Sequence, residues 1–448
     1  MSASLPESRS ADSLSSSPSL LVRTRELDTA GTVLTDRDLL ELLPQPEARA
    51  AHVWVRRGEG LVGWGEAARI TTEGPDRFDA AVRAWREMAE HLVVRDDVKL
   101  PGTGAVAFGA FSFARTSTAQ SVLVVPQVVL GTREGRTWIT TISAVDDQTG
   151  PTLGPPPSLE EMRAQARPTR TNGPVQVLPG ALDAERWVEQ VQAVIARIRA
   201  GEVSKVVMAR EEHARLAEPL DVRPVLTQLV DSYPTCWTFA VDGLIGATPE
   251  LLVRRERGLV SSRVLAGTIP RTGDDEADLM RAASLARSSK DLEEHEFAVQ
   301  SLADSLRPVV SSTSAQDAPF VLHLPNVMHL ATDVTAVLAP EHAGLTSLDL
   351  AARLHPTAAV CGTPTADSAE VIAEHEQMDR GRYAGPVGWI GADGDGEWGI
   401  ALRCAQVEPS GRDLRLFAGC GIVSASDPAA ELQESEAKLA PMRSVLGM

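Results

Sequence analysis

The sequence predicts an α+β fold in which large antiparallel β-sheets are flanked by helices. Three observations carry that prediction. Strand-like runs are punctuated by helical patterns without the regular strand–helix–strand alternation that builds a parallel sheet. The pair Asp242-Gly243 separates two apolar runs, CWTFAV and LIGATPELLV, as a tight hairpin turn does. The chain of 448 residues, 43% of them hydrophobic, can bury one large core or two moderate ones.

Taken in order, residues 1–18 are rich in serine and lack an apolar h-region, so a disordered tail is expected and not a signal peptide. Residues 19–150 read as the N-terminal part of the fold. There AHVWVRR, AVAFGAFSF, SVLVVPQVVLG and TWITTISAV look like strands, and FDAAVRAWREMAEHL carries helical periodicity. The glycines of GTGAVAFGAF lack a following GK[ST], so small residues facing a neighbour explain them better than a phosphate loop. Residues 151–180, rich in proline and charge, read as a connecting segment.

Residues 181–448 hold most of the signals. Asp183 can cap a helix whose Trp187, Val191, Val194, Ile195 and Ile198 share one face, and Gly201 ends it. The stretch GEVSKVVMAR follows as a strand. Its period of two places Val203, Lys205, Val207 and Ala209 on one side, so Lys205 is aimed at something other than bulk water. A helix is expected from about 275 to 307, interrupted near Ser288-Ser289, with others at 345–354 and 428–441. Between the last two, PVGWIG, WGIALRCAQV and DLRLFAGCGIV read as three strands.

Composition excludes several classes. The net charge of −18 and the absence of a basic stripe argue against nucleic acid as a partner. An anionic substrate then needs a local cationic pocket or a bound metal. Cys236, Cys361, Cys404 and Cys420 show no metal spacing, which suits free thiols in a reducing cytoplasm. No apolar run is long enough to span a bilayer, so no membrane partner is expected and the expected location is cytoplasmic.

Several side chains could carry chemistry. Glu431 and Glu434 lie three apart on one face of the helix that opens at Ser426-Asp427-Pro428. Such carboxylates repel unless a cation sits between them, and hard oxygen donors suit magnesium. Glu294 lies on a helix that Ser288 and Asp291 can start as a capping box. Glu250 follows a proline at a strand start, where it could be general acid, metal ligand or neither. His329 and His355 stand beside apolar residues, where core histidines outnumber catalysts. Arg403, read as embedded in a strand, could fork onto a carboxylate or pair with a structural acid. DGDGE at 393–397 is no calcium loop, because Trp398 stands where the loop needs glycine; a hairpin turn accounts for it.

Together and in order, KVVMAR, GATPELL, LAGTIPR, SSKDLEEHEF, NVMHLAT, LHPTAAVCGTP, YAGPVGW, IALRCA, AGCGIV and SDPAAELQESEAKL resemble the chorismate-utilising enzymes. That family includes isochorismate, salicylate, anthranilate and aminodeoxychorismate synthases. The likeness covers most of residues 185–440, while the first 150 residues match loosely. It implies the anthranilate synthase component I fold, a monomer, and chorismate as the small-molecule substrate. Glu294, Glu431 and Glu434 then resemble a magnesium (Mg2+) shell for the ring carboxylate. Gly267, Thr268, Tyr383, Arg403, Gly419 and Gly421 fall where members contact substrate, and His329 falls close to the ring.

Three positions separate the members of this family. Lysine at 205 resembles the members that activate water, where glutamine marks those that use ammonia. Burial lowers a lysine pKa, so Lys205 can accept a proton. Ala266 stands where aminodeoxychorismate synthases have a lysine nucleophile. Ala359 stands where the members that expel pyruvate have threonine. Cys420 departs from the usual alanine. The implied reaction is the Mg2+-dependent interconversion of chorismate and isochorismate, with Lys205 as base and Glu250 as acid. A salicylate synthase is the alternative, and an anthranilate synthase component I a more distant one.

Overall fold

In this computed structural model, which describes residues 19–44, 47–144 and 156–448, the strand-like runs pair into two sheets of 13 and 10 strands. Leu20–Glu26 and Leu92–Asp96 run parallel, and the pairs around the site are antiparallel. Each sheet draws strands from both ends of the chain. Ala51–Arg56 pairs with Trp237–Val241 in the larger sheet, and Val106–Ala110 with Pro386–Gly391 in the smaller. Trp54, Phe108, Phe111 and Trp398 are buried in one core cluster to which both sheets contribute. The tail at 1–18 and the first five residues of the connecting segment, 151–155, lie outside the described residues. The rest of that segment holds the helix Leu159–Gln165 and the strand Val175–Pro179. Among the described residues no helix is long and apolar enough to cross a membrane.

Local chemistry explains the elements that position the site. The Asp183 carboxylate accepts the Arg186 N–H at 2.9 Å and caps Ala184–Arg199, whose Trp187, Val191, Val194, Ile195 and Ile198 are buried. Asp242 and Gly243 have φ of 48° and 86°, the left-handed pair that a two-residue hairpin needs. DGDGE is the turn between Pro386–Gly391 and Gly396–Ile400, and Asp395 is held by Arg255 and by the Arg257 N–H at 2.8 Å.

Four readings of the sequence are corrected. The helical region at 275–307 breaks near Ser288-Ser289 as expected, into Asp275–Leu285 and Ser289–Leu306. The Ser288 hydroxyl caps the second by accepting the Asp291 N–H at 3.3 Å, but it is not a capping box, since no bond returns from the Asp291 carboxylate among the described residues. The C-terminal helix passes Pro441 and ends at Leu446, held by the buried Met442, Val445 and Leu446. WGIALRCAQV is two strands: Gly396–Ile400 belongs to the smaller sheet and Cys404–Val407 to the larger. Arg403 therefore sits in the crossing between sheets, at φ 47°, rather than within a strand. The helices Val222–Ser232 and Thr365–His375 were not anticipated.

A buried ion pair completes the edge of the strand Lys205–Leu216. That edge pairs with Gly362–Thr363 at one end and Val175–Pro179 at the other. Between them, Arg380 donates to the carbonyls of Val207 at 2.7 Å and Val360 at 2.9 Å, and to Glu376 at 2.8 Å. Glu376 in turn accepts the Ala209 N–H at 2.7 Å. Glu376→Ala leaves a buried guanidinium without its counter-charge, so a loss of about 3–5 kcal/mol is expected in urea denaturation. A change below about 1 kcal/mol would show that the pair does not hold this edge.

Candidate active site

One cleft collects every residue to which the sequence assigned a role at the site. Lys205, Glu250, Gly267, Thr268, Glu294, His329, Ala359, Tyr383, Arg403, Gly419, Gly421, Glu431 and Glu434 all line it. The strands Lys205–Leu216 and Asp413–Ile422 of the larger sheet supply Lys205, Gly419 and Gly421. The strands Leu259–Pro270 and Val327–Leu338 of the smaller sheet supply Gly267, Thr268 and His329, and two helices bring the glutamates.

Backbone detail aims these side chains. The pairing of Leu259–Pro270 with Val327–Leu338 slips between Ala266 and Thr268, where Gly267 adopts φ 75°. The slip sets Thr268 opposite His329, and their Oγ1 and Nδ1 lie 3.0 Å apart. At Gly421 a Cβ would fall 2.9 Å from Lys205 Cε, so glycine lets the lysine lie across the strand.

Both lysines of the cleft are paired with glutamates. Lys205 Nζ bonds to the Glu294 carboxylate. Lys438 pairs with Glu434 at 2.6 Å and donates to the Gly419 carbonyl at 2.9 Å. The Ser426 hydroxyl donates to Glu431 at 2.7 Å. Burial, with the Arg403 and Lys438 charges, holds the His329 pKa well below its usual value, so the ring is neutral. Arg403 donates to His329 Nε2 at 3.4 Å, which leaves the ring proton on Nδ1 for Thr268.

Glu250 is a strongly perturbed carboxyl that reaches the cleft. Burial pushes it up to about 8, against the opposing charges of Lys205, Arg403 and Lys438. It is therefore a protonated acid at neutral pH. Burial also raises Glu434, but Lys438, Arg403 and Lys205 outweigh that, and its carboxyl stays below the usual range. One cleft thus holds a neutral acid, the lysine Lys205 and two further cations, Arg403 and Lys438.

The donor set fits a hard cation. Glu431 and Glu434 converge from one helix face, and their carboxylates and the Cys420 sulfur offer ligand atoms within 4.8 Å of one another. Glu294 faces the same cleft from the opposite helix, turned to Lys205. Cys420 donates to the Glu431 carbonyl at 3.2 Å and is fully buried. Reading the sequence missed Lys438, although its spacing of four from Glu434 on a helix was a usable signal. It also passed over Asp291 as a lining residue and the bond from Ser426 to Glu431. His355 is a core histidine: its Nε2 meets the Phe113 carbonyl at 3.0 Å, and burial pushes its pKa down to about 3.

The chain belongs to the chorismate-binding enzyme family, whose model matches residues 29–447. Among its relatives, isochorismate synthase MenF of Bacillus subtilis (strain 168) is 32% identical over 413 residues, 86% of this chain and 85% of that one. Isochorismate synthase DhbC of the same organism is 39% identical over 300 residues, 64% of this chain and 73% of that one. The solved structure of MenF, the menaquinone-specific isochorismate synthase from Escherichia coli, has the same fold, with a TM-score of 0.76 at 24% identity. The match covers 96% of this chain and 95% of that one.

Proposed function

We propose that the chain is an isochorismate synthase, an isomerase that interconverts chorismate and isochorismate. The observation that carries this reading is the presence of Lys205 and a protonated Glu250 in one cleft. The lysine comes from the larger sheet, and the acid precedes the strand Leu251–Glu256 of the smaller sheet.

The chemistry follows from that arrangement. Lys205 Nζ, released from Glu294, takes a proton from water as the water oxygen bonds to ring carbon 2. The ring double bonds shift and the bond from carbon 4 to its hydroxyl breaks. Glu250 gives its proton to that hydroxyl, which leaves as water. One water enters and one leaves, and each proton transfer is worth about 10²–10⁴-fold.

Arg403 and Lys438 give an anionic substrate the local positive field that a chain of net charge −18 otherwise lacks, and the Thr268–His329 pair adds neutral hydrogen-bonding groups. Glu294, Glu431 and Glu434 would hold magnesium, which supplies neutralisation of the ring carboxylate. Ala359 lines the cleft as a small apolar residue, which supports a reaction that stops at isochorismate without expelling pyruvate.

Turnover of chorismate in ¹⁸O-labelled water tests the step at carbon 2. The expected isochorismate carries the label on its carbon 2 hydroxyl. Unlabelled isochorismate would mean that the hydroxyl migrates within the ring and that Lys205 activates no water.

A further inference from the structure

Behind the active site a second cleft lies between the helices Ser289–Leu306 and Ser347–Leu354. Its inner end is lined by Glu250 and Ala359, both of which also line the active-site cleft. Its outer end reaches Ser301 and Arg353, which are exposed to solvent. Hydroxyls mark the way between. Ser262 donates to the Leu251 carbonyl at 3.1 Å, which leaves its oxygen free to accept. The buried Thr357 hydroxyl has no hydrogen-bond partner among the described residues. Polar groups of this kind can hold water in a narrow passage.

The reaction creates a need for such a passage. Each conversion of chorismate leaves one extra proton on Lys205 and removes one from Glu250. Glu250 is only 5% exposed, and a product still held in the main cleft would cover its approach from that side. The lysine must lose its proton to solvent and the carboxylate must regain one before the next turnover. We propose that the second cleft is the route by which solvent protons reach Glu250, through water held by the Ser262 and Thr357 hydroxyls. The proposal rests on the reading of Glu250 as the acid of an isochorismate synthase.

The test closes the outer end from either wall, with Ser301→Trp on one helix and Arg353→Trp on the other. Each variant is mixed rapidly with chorismate and magnesium. The expected result is a first turnover at the wild-type rate followed by a steady state slowed about tenfold, with a solvent deuterium effect on the slow phase. The intact first turnover also shows that the variant is folded. If one variant does not fold, the other decides alone. Wild-type steady-state rates in the folded variants would overturn the route, and so would first and later turnovers slowed alike. A wild-type enzyme that forms no isochorismate would instead overturn the functional reading.

Discussion

Lys205→Ala is expected to lower chorismate turnover by about 10²–10⁴-fold while chorismate still binds in the presence of magnesium. The lysine is 16% exposed, lies across Gly421 and pairs with Glu294 at the wall of the cleft. Arg403, Lys438, Thr268 and His329 stand apart from it and still meet a carboxylate. Removing the base therefore costs the transition state more than the ground state, and the loss should appear in kcat rather than KM. Steady-state kinetics beside calorimetric binding separates the two. Undiminished kcat would reject Lys205 as the base.

Glu250→Gln is expected to cost a similar factor, about 10²–10⁴ in kcat, since the amide keeps the shape and gives no proton. A pH profile adds a second readout. The carboxyl titrates at about 8 in the fold against 4.5 in its ordinary state, so the acid is intact at neutral pH. Turnover should fall as pH rises through about 8, with no matching loss between about pH 6 and 7. The stability sign follows from the same shift. Between about 4.5 and 8 the folded chain holds a proton that the unfolded chain has lost, so stability declines as pH rises through that window. Glu250→Gln should flatten the decline. A flat activity profile from pH 7 to about 9 in the parent enzyme would count against Glu250 as the acid.

Much of this molecule was legible before any coordinates. Trp187, Val191 and Ile198 announced a helix because one face of it is buried, and that face is what periodicity reports. Asp242-Gly243 and Pro428 marked a turn and a helix start through backbone preferences that act locally. Period and spacing singled out Lys205, Glu431 and Glu434, the resemblance gave the candidate residues their roles, and their convergence in one cleft could not be read from spacing. Lys205 and Glu294 are separated by 89 positions and meet only because a strand and a helix from different layers face each other.

What stayed hidden has a common cause. WGIALRCAQV has the apolar content of one strand, and its break at Arg403 follows from which sheet each half joins, a choice made by distant partners. Thr365–His375 carries only a weak apolar stripe and is held against the Lys205–Leu216 strand, where Ser368 donates to the Lys205 carbonyl at 2.9 Å. Glu250 looked like any carboxyl after a proline. Its raised pKa comes from burial between elements, which no local pattern records.

The most direct test of the account is incubation of the purified protein with chorismate and magnesium, with products resolved by chromatography and pyruvate assayed in parallel. The account predicts isochorismate as the product, without pyruvate or salicylate. Salicylate and pyruvate as the main products would contradict it.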